Sequence, residues 1–193
     1  MRSLNADYIV LESDITKEWR VKEIFDDTIK HFGKVDILVN NAAPCGENDT
    51  IETLTQDTVD LYLDVIVKGT LLMTREFIRH RGEYGRIINL STDAAQTFAG
   101  QITYGASKAA VEALTRSIAL EVGKYGITVN CVAPGPTQTG WIDNELEAAC
   151  QKVIPLGRLV QPQDIADTIT FLASERAAML TGQVIKVSGG HAL

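Results

Sequence analysis

The sequence predicts an α/β domain built on a parallel sheet, and three observations carry that expectation. Apolar runs suited to buried strands, over residues 35–43, 85–92 and 127–135, end in polar or turn residues. Longer stretches between them repeat their apolar residues at helical spacing. Strand, helix and strand in succession make the unit from which parallel sheets are assembled.

Tyr8, Ile9, Val10 and Leu11 form the first apolar run and read as a short buried strand. Thr16 can cap a helix over residues 17–31, with Val21, Ile24, Phe25 and Ile29 on one face, and Gly33 ends it. Residues 35–41 form the next strand. Asn40-Asn41-Ala42 stands at its carboxyl end, where open α/β sheets bind ligands. A long helical pattern over residues 55–80 runs through Val59, Tyr62, Leu63, Ile66, Leu71, Met73 and Phe77. Residues 86–91 read as a buried strand ending at Ser91 and Thr92, which strand alternation sends to opposite faces. The helix of Tyr104 and Lys108 continues through Val111, Leu114, Ile118 and Val122 to a stop at Gly123. The strand at 127–132 then leads into Pro134-Gly135-Pro136-Thr137-Gln138-Thr139. Residues 141–153 are amphipathic and weakly apolar. Pro162 opens a helix to about residue 173 with Ile165, Ile169 and Leu172 inward, and residues 181–190 hold a last strand.

The chemistry concentrates in Tyr104-Gly105-Ala106-Ser107-Lys108. Residues four apart on a helix share a face, so a phenol and an ammonium meet at one spot. A phenol of ordinary pKa about 10 is a poor acid or base at neutral pH. A neighbouring cation stabilises phenolate and makes the pair a proton-transfer device for a hydroxyl or carbonyl. By itself, a Tyr and a Lys at this spacing are an ordinary helix surface.

Composition narrows the remaining classes. A chain of 193 residues, 45% hydrophobic and 22% charged, with net charge −7, suits one domain over residues 1–193 with a sizeable core. The acidic balance, with no Lys/Arg cluster, argues against a nucleic-acid partner. Cys45, Cys131 and Cys150 form no C-x-x-C, which fits a reducing cytoplasm. No apolar run approaches the roughly 18 residues of a membrane span, and no signal-like start is seen, so neither membrane nor secretion is expected. No metal site is expected.

Taken together, the strand ending in Ser91 and Thr92, Asn40-Asn41-Ala42-Ala43, the Tyr104/Lys108 pair and the Pro134-Gly135 turn resemble the short-chain dehydrogenase/reductase family, and its 3-oxoacyl-[acyl-carrier-protein] reductase-like members. The resemblance covers nearly the whole chain. It implies a Rossmann-like parallel sheet with helices on both faces. It also implies hydride transfer between NAD or NADP and a carbonyl or secondary alcohol, and a homo-oligomer, dimer or tetramer. Tyr104 would be the general acid/base, and Lys108 would lower its pKa and bind the ribose. Thr92 or Ser91 would hold the substrate oxygen: the strand's own alignment gives Thr92, and the spacing to the tyrosine usual in relatives gives Ser91. Asp14 would lie near adenine, and Asn40 and Ala42 near its ribose. Ala43 stands where relatives carry glycine. Pro134, Gly135, Thr137 and Thr139 would contact the nicotinamide end and the phosphates, and residues 141–153 would form a mobile lid.

Two departures qualify the resemblance. Ile66 stands where the family carries an asparagine that holds a water linking the catalytic lysine to solvent, and an isoleucine cannot hydrogen-bond. No glycine-rich strand-to-helix turn for a pyrophosphate occurs anywhere in the sequence. By this resemblance the fold is N-terminally truncated, lacking the first two strands and helices, either as a fragment or as a genuine short protein. The expectation is then that residues 8–11 and 35–40 pair with each other or are covered by another chain. No ordered dinucleotide and no measurable reductase activity are expected of the chain alone. A second function follows from the same departures: a non-catalytic module that associates with itself or with a full-length relative. The substrate and the choice between NAD and NADP are unreadable.

Overall fold

A computed structural model describes residues 6–44, 49–95, 97–140 and 142–192. Its centre is one sheet of four parallel strands in spatial order β1 (Ile37–Asn40), β2 (Gly85–Leu90), β3 (Ile127–Pro134) and β4 (Val184–Val187). The register sets Asn40 beside Asn89, Ile87 beside Val129 and Asn89 beside Cys131. Parallel neighbours need crossovers, and helices supply them. These are α1 (Glu18–Phe32) before β1, then α2 (Gln56–Tyr62) and α3 (Gly69–Arg79), α4 (Ile102–Val122), and α5 (Asn144–Val153) with α6 (Pro162–Ala173).

Strand alternation splits the core into two layers, one on each face of the sheet. Leu38, Ile87 and Val129 pack with Val21 and Phe25 of α1, Phe77 of α3, and Ala119 and Val122 of α4. Ile88, Leu90 and Val132 pack instead against Leu172 of α6 and Ala177. Each fully buried large aliphatic or aromatic side chain here contributes roughly 1.5–3 kcal/mol by its removal from water. Polar residues tie the first layer across the strands. Asn40 Nδ2 donates to Asn89 Oδ1 at 2.9 Å and to Thr74 Oγ1 at 3.3 Å, and Asn89 Nδ2 donates to Thr115 Oγ1 at 2.9 Å.

Three expectations are corrected. Residues 8–11 form no strand: Tyr8 is 61% exposed and Val10 83%, with no sheet neighbour to make their backbone part of a ladder. They therefore do not pair with β1, which among the described residues has β2 as its one sheet partner. Thr16 does not cap α1. The helix begins at Glu18 behind an uncapped Lys17, and Thr16 gives its own N–H to Asp14 Oδ1 at 2.9 Å. The long helix over residues 55–80 is not uniform either. Its middle, Leu63–Lys68, is wound as a π-helical segment between α2 and α3. That segment buries Ile66 beside Tyr62, Val111 and Cys131, with Tyr104 packed against the cluster. Other ends agree with the sequence reading. Gly33 takes the left-handed conformation (φ 84°) and donates to Ile29 O, and Gln161 and Asp164 close a capping box before Pro162.

Candidate active site

The carboxyl ends of β2 and β3 open into a cleft of about 580 Å³. Its walls include Thr92, Tyr104, Lys108, Pro134, Gly135, Thr137, Thr139, Asn41 and Ala43. Most of the residues singled out in the sequence thus meet in one place.

The tyrosine wall is built by α4. Gln101 makes no side-chain cap for that helix. Asp49, buried in the preceding loop, takes over: its Oδ2 accepts from Thr103 N at 3.0 Å and from the Thr103 hydroxyl. Gly105 is needed for contact, since a Cβ there would lie 2.6 Å from Phe98 Cβ. Tyr104 is then held between two rings, edge-on to Tyr62 and Phe98 at centroid distances of 6.0 and 5.6 Å.

Lys108 lies one turn further on, 3% exposed, with Nζ donating to Leu90 O at 2.8 Å and 5.6 Å from the centre of the Tyr104 ring. The electrostatics differ from the expected lowering of the phenol's pKa. Burial, aided by Tyr62 and Asp93, pushes Tyr104 up to about 12, and burial pushes Lys108 down to about 8. Both shifts have the same largest cause, the cost of holding a charge where water is excluded.

Ser91 and Thr92 separate as alternation requires. Ser91 continues the Ile87–Asn89 face and turns its hydroxyl into α4, donating to Glu112 Oε1 at 2.9 Å and Lys108 O at 3.3 Å. Both residues line the cleft, and Thr92 has no such bond to α4 among the described residues. At the end of β3, Gly135 is required by close approach. A Cβ there would meet Ser188 Cβ at 2.8 Å and Asp93 Oδ2 at 3.0 Å. Thr137 turns its hydroxyl back to Gly135 O at 2.8 Å.

Asp14, Asn40 and Ala42 lie apart from the cleft. Asp14 is held below the ordinary carboxylate pKa by its bonds to Thr16, as a local turn. Asn40 braces the sheet, and Ala42 is exposed just beyond it. Trp141 lies outside the described residues, and the rest of the lid segment forms α5, capped by Asp143, which accepts from Leu146 N at 2.8 Å, with Leu146 and Cys150 reaching the cleft. Sequence reasoning missed Asp49, Tyr62, Phe98, Glu112, Asp93 and His191. The last two meet across the cleft wall, His191 Nδ1 lying 2.8 Å from Asp93 Oδ2.

Comparison with known proteins agrees with this architecture. A family model described as enoyl-(acyl carrier protein) reductase matches residues 1–192. The (2S)-[(R)-hydroxy(phenyl)methyl]succinyl-CoA dehydrogenase subunit BbsD of Thauera aromatica is 40% identical over 186 residues, 94% of this chain and 75% of that protein. The structure of 3-ketoacyl-(acyl-carrier-protein) reductase from Brucella melitensis complexed with NADH superposes with a TM-score of 0.88 at 32% identity, over 94% of this chain and 77% of that one. A short-chain dehydrogenase/reductase from Serratia marcescens gives 0.88 at 30% identity, over 95% and 76%. The chain belongs to the short-chain dehydrogenase/reductase family of oxidoreductases. Among the described residues no helix is long and apolar enough to cross a membrane.

Proposed function

We propose that this cleft reduces a carbonyl, or oxidises the corresponding secondary alcohol, with NAD or NADP as redox partner. One observation supports this most: Tyr104 and Lys108 stand one turn apart on α4, both at the wall of a cleft beyond the carboxyl ends of the central strands. Tyr104, kept protonated by burial, delivers its proton to the carbonyl oxygen in reduction and recovers it in oxidation. Lys108, fixed on Leu90 O, supplies positive charge when the phenolate forms. Thr92 is the hydroxyl for the substrate oxygen, because Ser91 is committed to Glu112.

The cleft fits a dinucleotide at one end. Pro134, Gly135, Thr137 and Thr139 line the cleft together with Tyr104 and Lys108, so these residues would hold the nicotinamide and its ribose. When bound, the cofactor supplies the hydride. The phosphate end does not fit among the described residues. No glycine turn is present in the sequence, and Asp14 is folded onto its own backbone. Each missing charge-assisted bond removes roughly 1.5–3 kcal/mol, so binding weaker by orders of magnitude is expected. Calorimetric titration of NADH and NADPH into the chain, with turnover of small ketones and aldehydes followed at saturating cofactor, tests the reading. Weak binding with slow turnover is the expected result. Binding with no turnover of any carbonyl or alcohol would break it.

A further inference from the structure

Among the described residues that line the cleft are Lys108, Asp93 and His191. Lys108 is committed to Leu90 O. The Asp93 side chain is 3% exposed, its Oδ2 is taken by His191 Nδ1, and its backbone N–H is tied to Pro134 O at 2.9 Å. His191 is different. Its side chain is 28% exposed, and Nε2, across the ring from Asp93, has no partner among the described residues.

The segment that carries His191 is fixed from behind. Gly189 and Gly190 both take positive φ, Ser188 Oγ donates to His191 O at 3.0 Å, and His191 N returns to Ser188 O. Lys186 Nζ ties down the Ala192 carbonyl. The pair buries the carboxylate and leaves part of the imidazole open at the cleft.

We propose that His191, held by Asp93, is the substrate-selecting group of this cleft and binds a carboxylate carried beside the reacting carbonyl. The chemistry follows from the pairing. As imidazolium, the ring donates from both nitrogens, Nδ1 toward Asp93 and Nε2 toward the cleft. Nε2 then offers a charge-assisted bond to an anion, stronger than a neutral one. The other titratable groups around the pair are Lys186 on β4, Tyr104 and Lys108 on α4, and Cys150 on α5. None of these is an anion that would repel a carboxylate while Tyr104 is protonated.

The inference takes the word substrate from the oxidoreductase reading, and its test reads binding alone. The imidazole resonances of the full chain are followed by proton–carbon NMR during pH titration. The chain has three histidines, and His191 is assigned by the signal lost in His191→Gln, or in His191→Asn should the first fold poorly. Acetoacetate is expected to raise the titration midpoint of His191 by about half a pH unit or more while His31 and His80 stay still. Methyl acetoacetate, the neutral ester, is expected to leave all three unmoved. Asp93→Asn is expected to weaken the acetoacetate response about tenfold. An unchanged midpoint overturns the inference, as does an equal response to the ester. A response to inorganic pyrophosphate as large as that to acetoacetate overturns it in favour of a cofactor phosphate. The Tyr104→Phe variant keeps the response if the inference holds. A chain that binds acetoacetate but reduces no carbonyl breaks the oxidoreductase reading alone, and a chain that reduces ketones with His191 unmoved breaks this inference alone.

Discussion

The middle of the sheet and its β1 side are made of similar residues in very different circumstances. β2 buries every residue from Gly85 to Leu90, and β3 buries all but its last. β1 alternates, leaving Ile37 45% and Val39 40% exposed, and Tyr8 and Val10, earlier in the chain, face water with no strand at all. Apolar, β-branched sequence is therefore not sufficient for a buried strand. It becomes one where a neighbour pairs on each side and a helix covers each face. The candidate active site grows from the half of the molecule where both conditions are met.

The comparison can be tested by asking whether sensitivity to substitution falls from the centre to the edge. Tyr104→Phe keeps the ring contacts to Tyr62 and Phe98 and removes only the proton donor. Turnover is expected to fall by about 10²–10⁴-fold with the melting temperature unmoved, and surviving activity would remove Tyr104 from its role. Ile66→Asn puts an amide into the apolar cluster under the site. A loss of about 2–4 kcal/mol in denaturant unfolding is expected, and an unchanged midpoint would mean that the cluster tolerates polar groups. Gly135→Ala drives a methyl against Ser188 and Asp93, for a cost of about 1–3 kcal/mol, read by thermal melting.

Buried Lys108 also gives the centre a signature in pH. Its pKa is about 8 folded against an ordinary 10.5, so between those values the unfolded chain binds more protons and stability rises with pH. Tyr104 acts in the opposite sense higher up. Held at about 12 against 10, it keeps a proton that the unfolded chain loses, so stability falls above pH 10. Denaturant unfolding of Lys108→Met is expected to lack the rise between pH 8 and 10, and a rise that persists would assign it to another group. At the edge, Val39→Thr is expected to change stability by no more than about 0.5 kcal/mol. A larger loss would mean that β1 is covered in solution.

Helices were the most legible part of the sequence, because their evidence is local. Val21 and Phe25 mark the buried face of α1, and Pro162 with Asp164 marks the start of α6. The run at residues 8–11 misled because a strand's stability lies in partners far away in sequence. Much of the site was legible as motif: Thr92, Tyr104, Lys108, Gly135 and Thr137 converge on one cleft. Asp14 and Asn40 did not join it, since short polar side chains after a strand are equally suited to bonding their own backbone or bracing a neighbour. Asp93 and His191 left no pattern to find. They are 98 residues apart, and only the return of β4 to the side of β3 brings them together. The π-helical segment was invisible because its residues have ordinary helical spacing.

That segment, Leu63–Lys68, has a consequence for the dielectric beneath the site. The wider turn aims position 66 at the underside of Tyr104 by backbone alone, so the chirality and reach of the helix are settled before the side chain is chosen. With isoleucine there, the cluster that Tyr104 packs against is hydrocarbon, which adds to the burial that keeps the phenol protonated. A single codon on one helix therefore bears on the proton affinity of a residue on another without moving it.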